Sequence, residues 1–266
     1  MTDNTSTLNS VTSNDGTTIA YDRLGEGPAI VLVSGGSVDR QSNAGLASVL
    51  ASRFTVYNYD RRGRGPSGDT QPYAIEREIE DIDAVIQAAG GSAHLYGSSS
   101  GAALALMAAK ALPGRVRKLA LWEPPFIADP NARPPRDTVQ QYERMVGEGR
   151  RGDAVEYFMT QVVRLPADFA AFARTQPWWA DQEKIAHTLA YDGRIMGDYS
   201  LPLETAAAVA VPTIVLAGSA SMPFMSETAN ELARVLPNGQ ARILDGQEHN
   251  VDPTVIGPAL AAFLAD

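Results

Sequence analysis

Short apolar runs separated by amphipathic stretches set the frame of this chain. Residues 29–33, Ala-Ile-Val-Leu-Val, are continuously apolar, as a strand buried on both faces requires. Comparable runs at 54–59, 93–96, 116–122, 211–218 and 241–244 predict further strands. Residues 17–24 read as another, leaving the Asn14-Asp15-Gly16 turn, a hairpin signal. Between the strands, Ile75, Ile79, Ile82, Val85, Ile86 and Ala89 recur at helical spacing, and Gly90-Gly91 ends that helix. Helices are also expected over 45–52, 102–111, 226–236 and 254–264. This alternation predicts an α/β fold, a mostly parallel sheet covered by helices on both faces.

The alternation breaks between residues 124 and 208. Pro124-Pro125 and Pro134-Pro135 bracket a loop, and 136–147, 153–164, 167–174 and 178–191 read as amphipathic helices with no buried strand among them. The expected organisation is a flexible tail over 1–13, a sheet domain over 14–126 and 209–266, and a helical cap inserted at 127–208.

Composition narrows the function classes. The chain has 266 residues, 44% hydrophobic and 20% charged, which suits one large domain with an insertion. A net charge of −9 would repel nucleic acid and anionic membrane, so neither is an expected partner. The absence of cysteine excludes disulfides, thiolate metal sites and cysteine nucleophiles. No apolar run is long enough to span a bilayer, and the polar segment 1–13 lacks the apolar region of a signal peptide. A cytoplasmic protein is expected, with homo-oligomerisation left open.

The candidate chemistry lies where the strand at 93–96 meets the helix at 102–111. Gly97-Ser98-Ser99-Ser100-Gly101 fits G-x-S-x-G, a nucleophile elbow. A serine on so tight a strand-to-helix turn sits in strained backbone, and small residues two before and two after it let the chain nearly touch itself. Ser99 would stand clear of the sheet at the positive end of a helix whose free N–H groups can face an oxyanion. A serine with an ordinary pKa needs a base in contact and an acid behind that base. Of the three histidines, His94 lies in a strand and should point into the sheet packing, and His187 lies in the cap. His249 follows the last strand, in the place where an open α/β sheet presents its ligands, and is the candidate base. Gly63-Arg64-Gly65-Pro66-Ser67-Gly68 formally matches G-x-G-x-x-G, but no helix opens after it, so it reads as a structural turn.

Four segments together resemble the α/β-hydrolases: the apolar strand into Ser34-Gly35-Gly36, the turn Tyr59-Asp60-Arg61-Arg62-Gly63-Arg64-Gly65-Pro66-Ser67, the elbow, and Gly246-Gln247-Glu248-His249. The resemblance implies that fold over nearly the whole chain, and an oxyanion hole made by the backbone N–H groups of Gly36 and Ser100. Many relatives carry His-Gly where this chain has Ser34-Gly35, a change that a backbone donor tolerates.

The acid departs from the pattern. Most relatives carry an Asp a few residues after the seventh strand, but Gly218-Ser219-Ala220-Ser221-Met222-Pro223-Phe224-Met225 holds no carboxylate. Glu123, at the end of the sixth strand, is the candidate that replaces it. The zearalenone lactonases are a branch that takes a Glu from this strand end. Asp245 and Asp252, flanking His249, are second choices. The expected substrate contacts are Gly35, Ser98, Met225 and one of Trp178 and Trp179, since adjacent residues on a helix cannot face one side. The resemblance implies no cofactor and no metal. The expected activity is hydrolysis of a carboxylic ester or lactone of a bulky apolar substrate, a zearalenone-type macrolactone by analogy. The alternatives are a non-hydrolytic biosynthetic enzyme of this fold (acyl transfer, C–C cleavage or cyclisation) and a silent ligand-binding member.

Overall fold

In the computed structural model, which describes residues 7–265, the apolar runs become the centre of one eight-stranded sheet. The first half of the chain gives β1 (Thr7–Thr12), β2 (Thr18–Leu24), β3 (Ala29–Val33), α1 (Ala44–Leu50), β4 (Thr55–Tyr59), α2 (Ile75–Ala88), β5 (Ala93–Ser98), α3 (Ser100–Ala111) and β6 (Val116–Trp122). A helical excursion follows: α4 (Thr138–Gly147), α5 (Arg151–Tyr157), α6 (Ala167–Ala173), α7 (Trp179–Ile185), α8 (Leu189–Met196) and α9 (Leu203–Ala207). The chain then closes with β7 (Thr213–Gly218), α10 (Pro223–Val235), β8 (Gly239–Leu244) and α11 (Pro253–Leu264).

The strand order is β1-β2-β4-β3-β5-β6-β7-β8. β2 runs antiparallel to both β1 and β4, and from β4 to β8 every neighbouring pair is parallel. Successive side chains on a strand point to opposite faces, so apolar residues at every position feed two cores. Val31, Val33, Leu95, Leu119, Leu121 and Val215 pack with α2, α3 and α10 on one face. Ile30, Leu32, Tyr96, Ala120, Trp122 and Leu216 pack with α1 and α11 on the other.

Three departures from expectation have physical causes. Residues 7–12 of the expected flexible tail form β1, paired along its length with β2. Polar Thr, Asn and Ser suffice there because an edge strand is held by its backbone ladder, and the hairpin turn closes with Gly16 N–H donating to the Ser13 carbonyl. Residues 1–6 of that tail lie outside the described residues. The helix expected over 178–191 is interrupted by a 3-10 turn at Ala186–Thr188 and continues to Met196. The helix expected over 153–164 ends in a π-helical turn, Phe158–Val162.

Between Trp122 and Thr213 the described chain contains helices and no strand. We call this excursion the cap. It has its own apolar cluster, built on Tyr142, Met145, Val155, Trp179, Leu189 and Tyr191. It is joined to the sheet domain through Ile75 and Val162, which touch both clusters. No helix among the described residues is long and apolar enough to cross a membrane.

Candidate active site

The parallel strands deliver their C-terminal ends to one edge, and the loops that leave that edge carry the candidate residues. β3 ends in Ser34-Gly35-Gly36, β5 in the elbow, β6 in Glu123, β7 in Gly218, and β8 in the loop to His249. The chain reverses direction across the sheet at β3, whose neighbours β4 and β5 lie on either side of it. A crevice opens at such a switch point.

The elbow has the strain its sequence implies. Ser99 has φ 54° and ψ −128°, in a region few residues with a Cβ adopt. The glycines are obligatory: a Cβ on Gly97 would lie 2.3 Å from the Gly101 carbonyl oxygen, and one on Gly101 would lie 2.4 Å from that of Ser34. Gly35 lies against the nucleophile candidate, with its Cβ position 3.1 Å from Ser99 Cβ. Ser98 Oγ is 3.7 Å from that same Cβ position.

Strand register sets Glu123 next to Ser99. Ser98 is paired with Trp122, and the Ser99 N–H donates to the Trp122 carbonyl at 2.9 Å. Glu123 is fully buried and has φ 44°, a second strained non-glycine at the same edge. Both of its carboxylate oxygens are used. Oε1 accepts from the Gly218 N–H at 2.8 Å, and Oε2 accepts from His249 Nδ1 at 2.6 Å. With Nδ1 donating, the His249 Nε2 is left as the acceptor, the tautomer a general base requires.

His249 reaches Glu123 by crossing back over the end of β7. The crossing is tight: a Cβ on Gly218 would lie 2.0 Å from the Gln247 carbonyl oxygen. That carbonyl accepts from the Ala220 N–H at 3.0 Å, and the Trp122 indole N–H donates to the His249 carbonyl at 2.9 Å. The β7 loop, which holds no carboxylate, thus supports both the acid candidate and the histidine loop through its backbone. The His249 side chain is half exposed, open to solvent and to a substrate. No hydrogen bond joins it to Ser99, a contact that commonly tightens only with substrate in place.

The other candidates have separate positions. Asp245 accepts from Ser219 Oγ at 3.2 Å and Asp252 caps α11 through the Thr254 N–H, so neither is bonded to the His249 ring. His94 is fully buried with its ring edge-on to Phe54. His187 sits at the seam between cap and sheet domain, 3.3 Å from Asp69. A cleft of about 420 Å³ at that seam is lined by Asp69, Tyr73, Tyr142, His187, Tyr191 and Arg194, and includes none of Ser99, Glu123 and His249. Met225 is buried in the main core. Trp179 packs inside the cap with its indole N–H donating to Glu183 at 3.0 Å, whereas Trp178 is 41% exposed. Successive residues along a helical backbone are turned by about 100°, so the two side chains leave in different directions. Among the described residues no three His, Cys, Asp or Glu side chains are grouped as a metal site would need.

One set of residues escaped the reading of the sequence. The segment 60–68, whose part 63–68 reads from sequence as a structural turn, carries buried arginines whose partners come from far along the chain. Arg61 pairs with Glu78 at 2.7 Å and with Asp192 of α8 at 2.8 Å, and Arg64 pairs with Asp192 at 2.7 Å. Burial pushes the Asp192 carboxyl up, but the Arg64 and Arg61 guanidiniums and the Ser100 hydroxyl outweigh it and hold its pKa below the usual carboxylate value. The available signal was three arginines in a loop leaving a wholly buried strand, since charges so placed must find partners.

Residues 30–255 match the Alpha/beta hydrolase family. A solved alpha/beta hydrolase from Sphaerobacter thermophilus DSM 20745 is 47% identical, with a TM-score of 0.90 over 97% of this chain and 100% of that one. Two curated relatives match over shorter stretches. An uncharacterised hydrolase of Bacillus subtilis (strain 168) is 36% identical over 95 residues, 34% of this chain and 35% of that protein. A pimeloyl-[acyl-carrier protein] methyl ester esterase of Methylococcus capsulatus is 36% identical over 109 residues, 40% of this chain and 41% of that protein. The chain therefore spans well under half the length of either curated relative in its match.

Proposed function

The chain belongs to the alpha/beta hydrolase family, and we propose that within it the protein is a serine hydrolase that cleaves a carboxylic ester or lactone through an acyl-enzyme. The reading rests on one observation above the others: a buried glutamate holds His249 by Nδ1 at 2.6 Å, beside a serine in strained elbow backbone. Local similarity to an ester-cleaving relative supports the choice of ester chemistry.

Ser99 Oγ attacks the substrate carbonyl while His249 Nε2 takes its proton. The imidazolium that forms is stabilised by Glu123, which also fixes the ring orientation. The backbone N–H groups of Gly36 and Ser100 face the developing oxyanion, and neither donates to a protein acceptor among the described residues. His249 returns the proton to the leaving alkoxide, then activates a water that releases the acid and restores Ser99.

The substrate we assign is bulky and weakly polar. Support comes from the partly buried Phe158, Met159 and Val162 along the cap's π-turn and from the exposed Trp178. π-turns recur at functional sites. A zearalenone-type macrolactone is the specific form, by analogy of the acid's position. A panel of aliphatic esters, aryl esters and macrolactones including zearalenone tests this. The expected result is turnover with a pre-steady-state burst on activated aryl esters, and kcat/KM rising with acyl bulk. Preference for acetyl over every larger acyl group would overturn the substrate class.

A further inference from the structure

The two N–H groups that receive the oxyanion belong to residues held from behind by the cap. Ser100 Oγ donates to Asp192 Oδ1 at 2.8 Å, and Arg61 Nη1 donates to the same oxygen at 2.8 Å. The other Asp192 oxygen accepts from Arg64 Nη2 at 2.7 Å. Arg64 turns its second nitrogen to the loop after β3, donating to the Gly35 and Val38 carbonyls. In a trans peptide the carbonyl and the N–H lie in one plane and point in opposite directions. The Gly35 carbonyl shares its plane with the Gly36 N–H. Gripping that carbonyl therefore aims the Gly36 donor away from Arg64.

Asp192 also lies directly against Gly36, where a Cβ would be 3.2 Å from its Oδ2 and 3.4 Å from Ser100 Oγ. Glycine is the residue that fits beneath the carboxylate. The loop is tied to the cap a second time, one residue on: Ser37 Oγ donates to Gln182 of α7 at 2.5 Å. The network is electrically balanced, with Arg61 and Arg64 set against Glu78 and Asp192, all four buried.

We propose that Asp192 of the cap is a positioning residue for the oxyanion hole, setting the Gly36 donor through Arg64 and the Ser100 donor through its hydroxyl. The cap is then part of the catalytic apparatus as well as a cover over the substrate. The proposal rests on Ser99 being the nucleophile.

The test compares Asp192→Asn and Ser100→Ala with wild type, using kcat and KM on a small activated ester. A second readout is the affinity of a trifluoromethyl ketone, which forms an oxyanion adduct on serine, against its methyl ketone, which does not. Asp192→Asn should lower kcat and trifluoromethyl ketone affinity together by about 100-fold, with KM and methyl ketone affinity within about twofold. Ser100→Ala, which removes the hydroxyl's bond to Asp192 and the longer one it accepts from Arg61 but keeps the N–H, should lower the same pair by roughly tenfold. Asp192→Asn leaves a surplus buried cation and can fail to fold, in which case Ser100→Ala alone decides. Wild-type kcat and ketone affinity in Ser100→Ala, or in a folded Asp192→Asn, would overturn the positioning role and leave the nucleophile standing. A trifluoromethyl ketone that does not bind wild type would overturn the nucleophile and the proposal with it.

Discussion

Ser99→Ala abolishes ester turnover, with kcat lower by about 10⁴–10⁶-fold and the fold unchanged. The size of the effect follows from the chemistry. In the proposed mechanism Ser99 Oγ is the atom that forms the covalent bond, so the residual rate comes only from binding and from the oxyanion donors. The fold survives because the elbow depends on Gly97 and Gly101, whose missing side chains let the backbone approach itself, and the hydroxyl takes no part in that packing. Circular dichroism and a steady-state assay on one activated ester check both halves. Undiminished turnover would remove the acyl-enzyme from the account.

Glu123→Gln lowers kcat by about 10²–10⁴-fold with little change in KM. The amide has the shape of the carboxylate, and its oxygen can still accept from the Gly218 N–H. Its NH₂ group then meets His249 Nδ1 and favours the tautomer in which Nδ1 accepts. That moves the ring proton to Nε2, so a donor faces Ser99 where an acceptor is needed. The imidazolium also loses its counter-charge. Burial of an amide is cheaper than burial of a carboxylate, so the variant should fold. A kcat within threefold of wild type would mean that another group orients His249. Asp245 and Asp252 are poor substitutes, being occupied by Ser219 and by the start of α11.

Much of this architecture could be read from the sequence because its signals are local. Five continuously apolar residues, as in Ala29–Val33, announce a strand covered on both faces, and Gly97 with Gly101 announces the elbow. The acid candidate came from the family resemblance: the loop after residue 218, where most relatives carry an Asp, holds no carboxylate, and Glu123 ends the neighbouring strand. Register then supplied what spacing could not, that Ser98 pairs with Trp122 and so sets Glu123 beside Ser99. β1 was missed because an edge strand needs no apolar code. The break at Ala186–Thr188 was missed because no glycine or proline marks it. The arginine network was illegible for a different reason. Arg64 and Asp192 are 128 positions apart, and only the folded chain tells which buried cation meets which carboxylate.

The central claim is that Ser99 is a nucleophile activated by His249 and Glu123. The most direct measurement is the intact mass of the chain after exposure to a fluorophosphonate, with the adduct mapped by peptide fragmentation. The account predicts one equivalent bound, on the peptide containing Ser99, absent in Ser99→Ala and formed about 100-fold or more slowly in Glu123→Gln. No adduct on the wild-type chain, or an adduct on a residue other than Ser99, would contradict it.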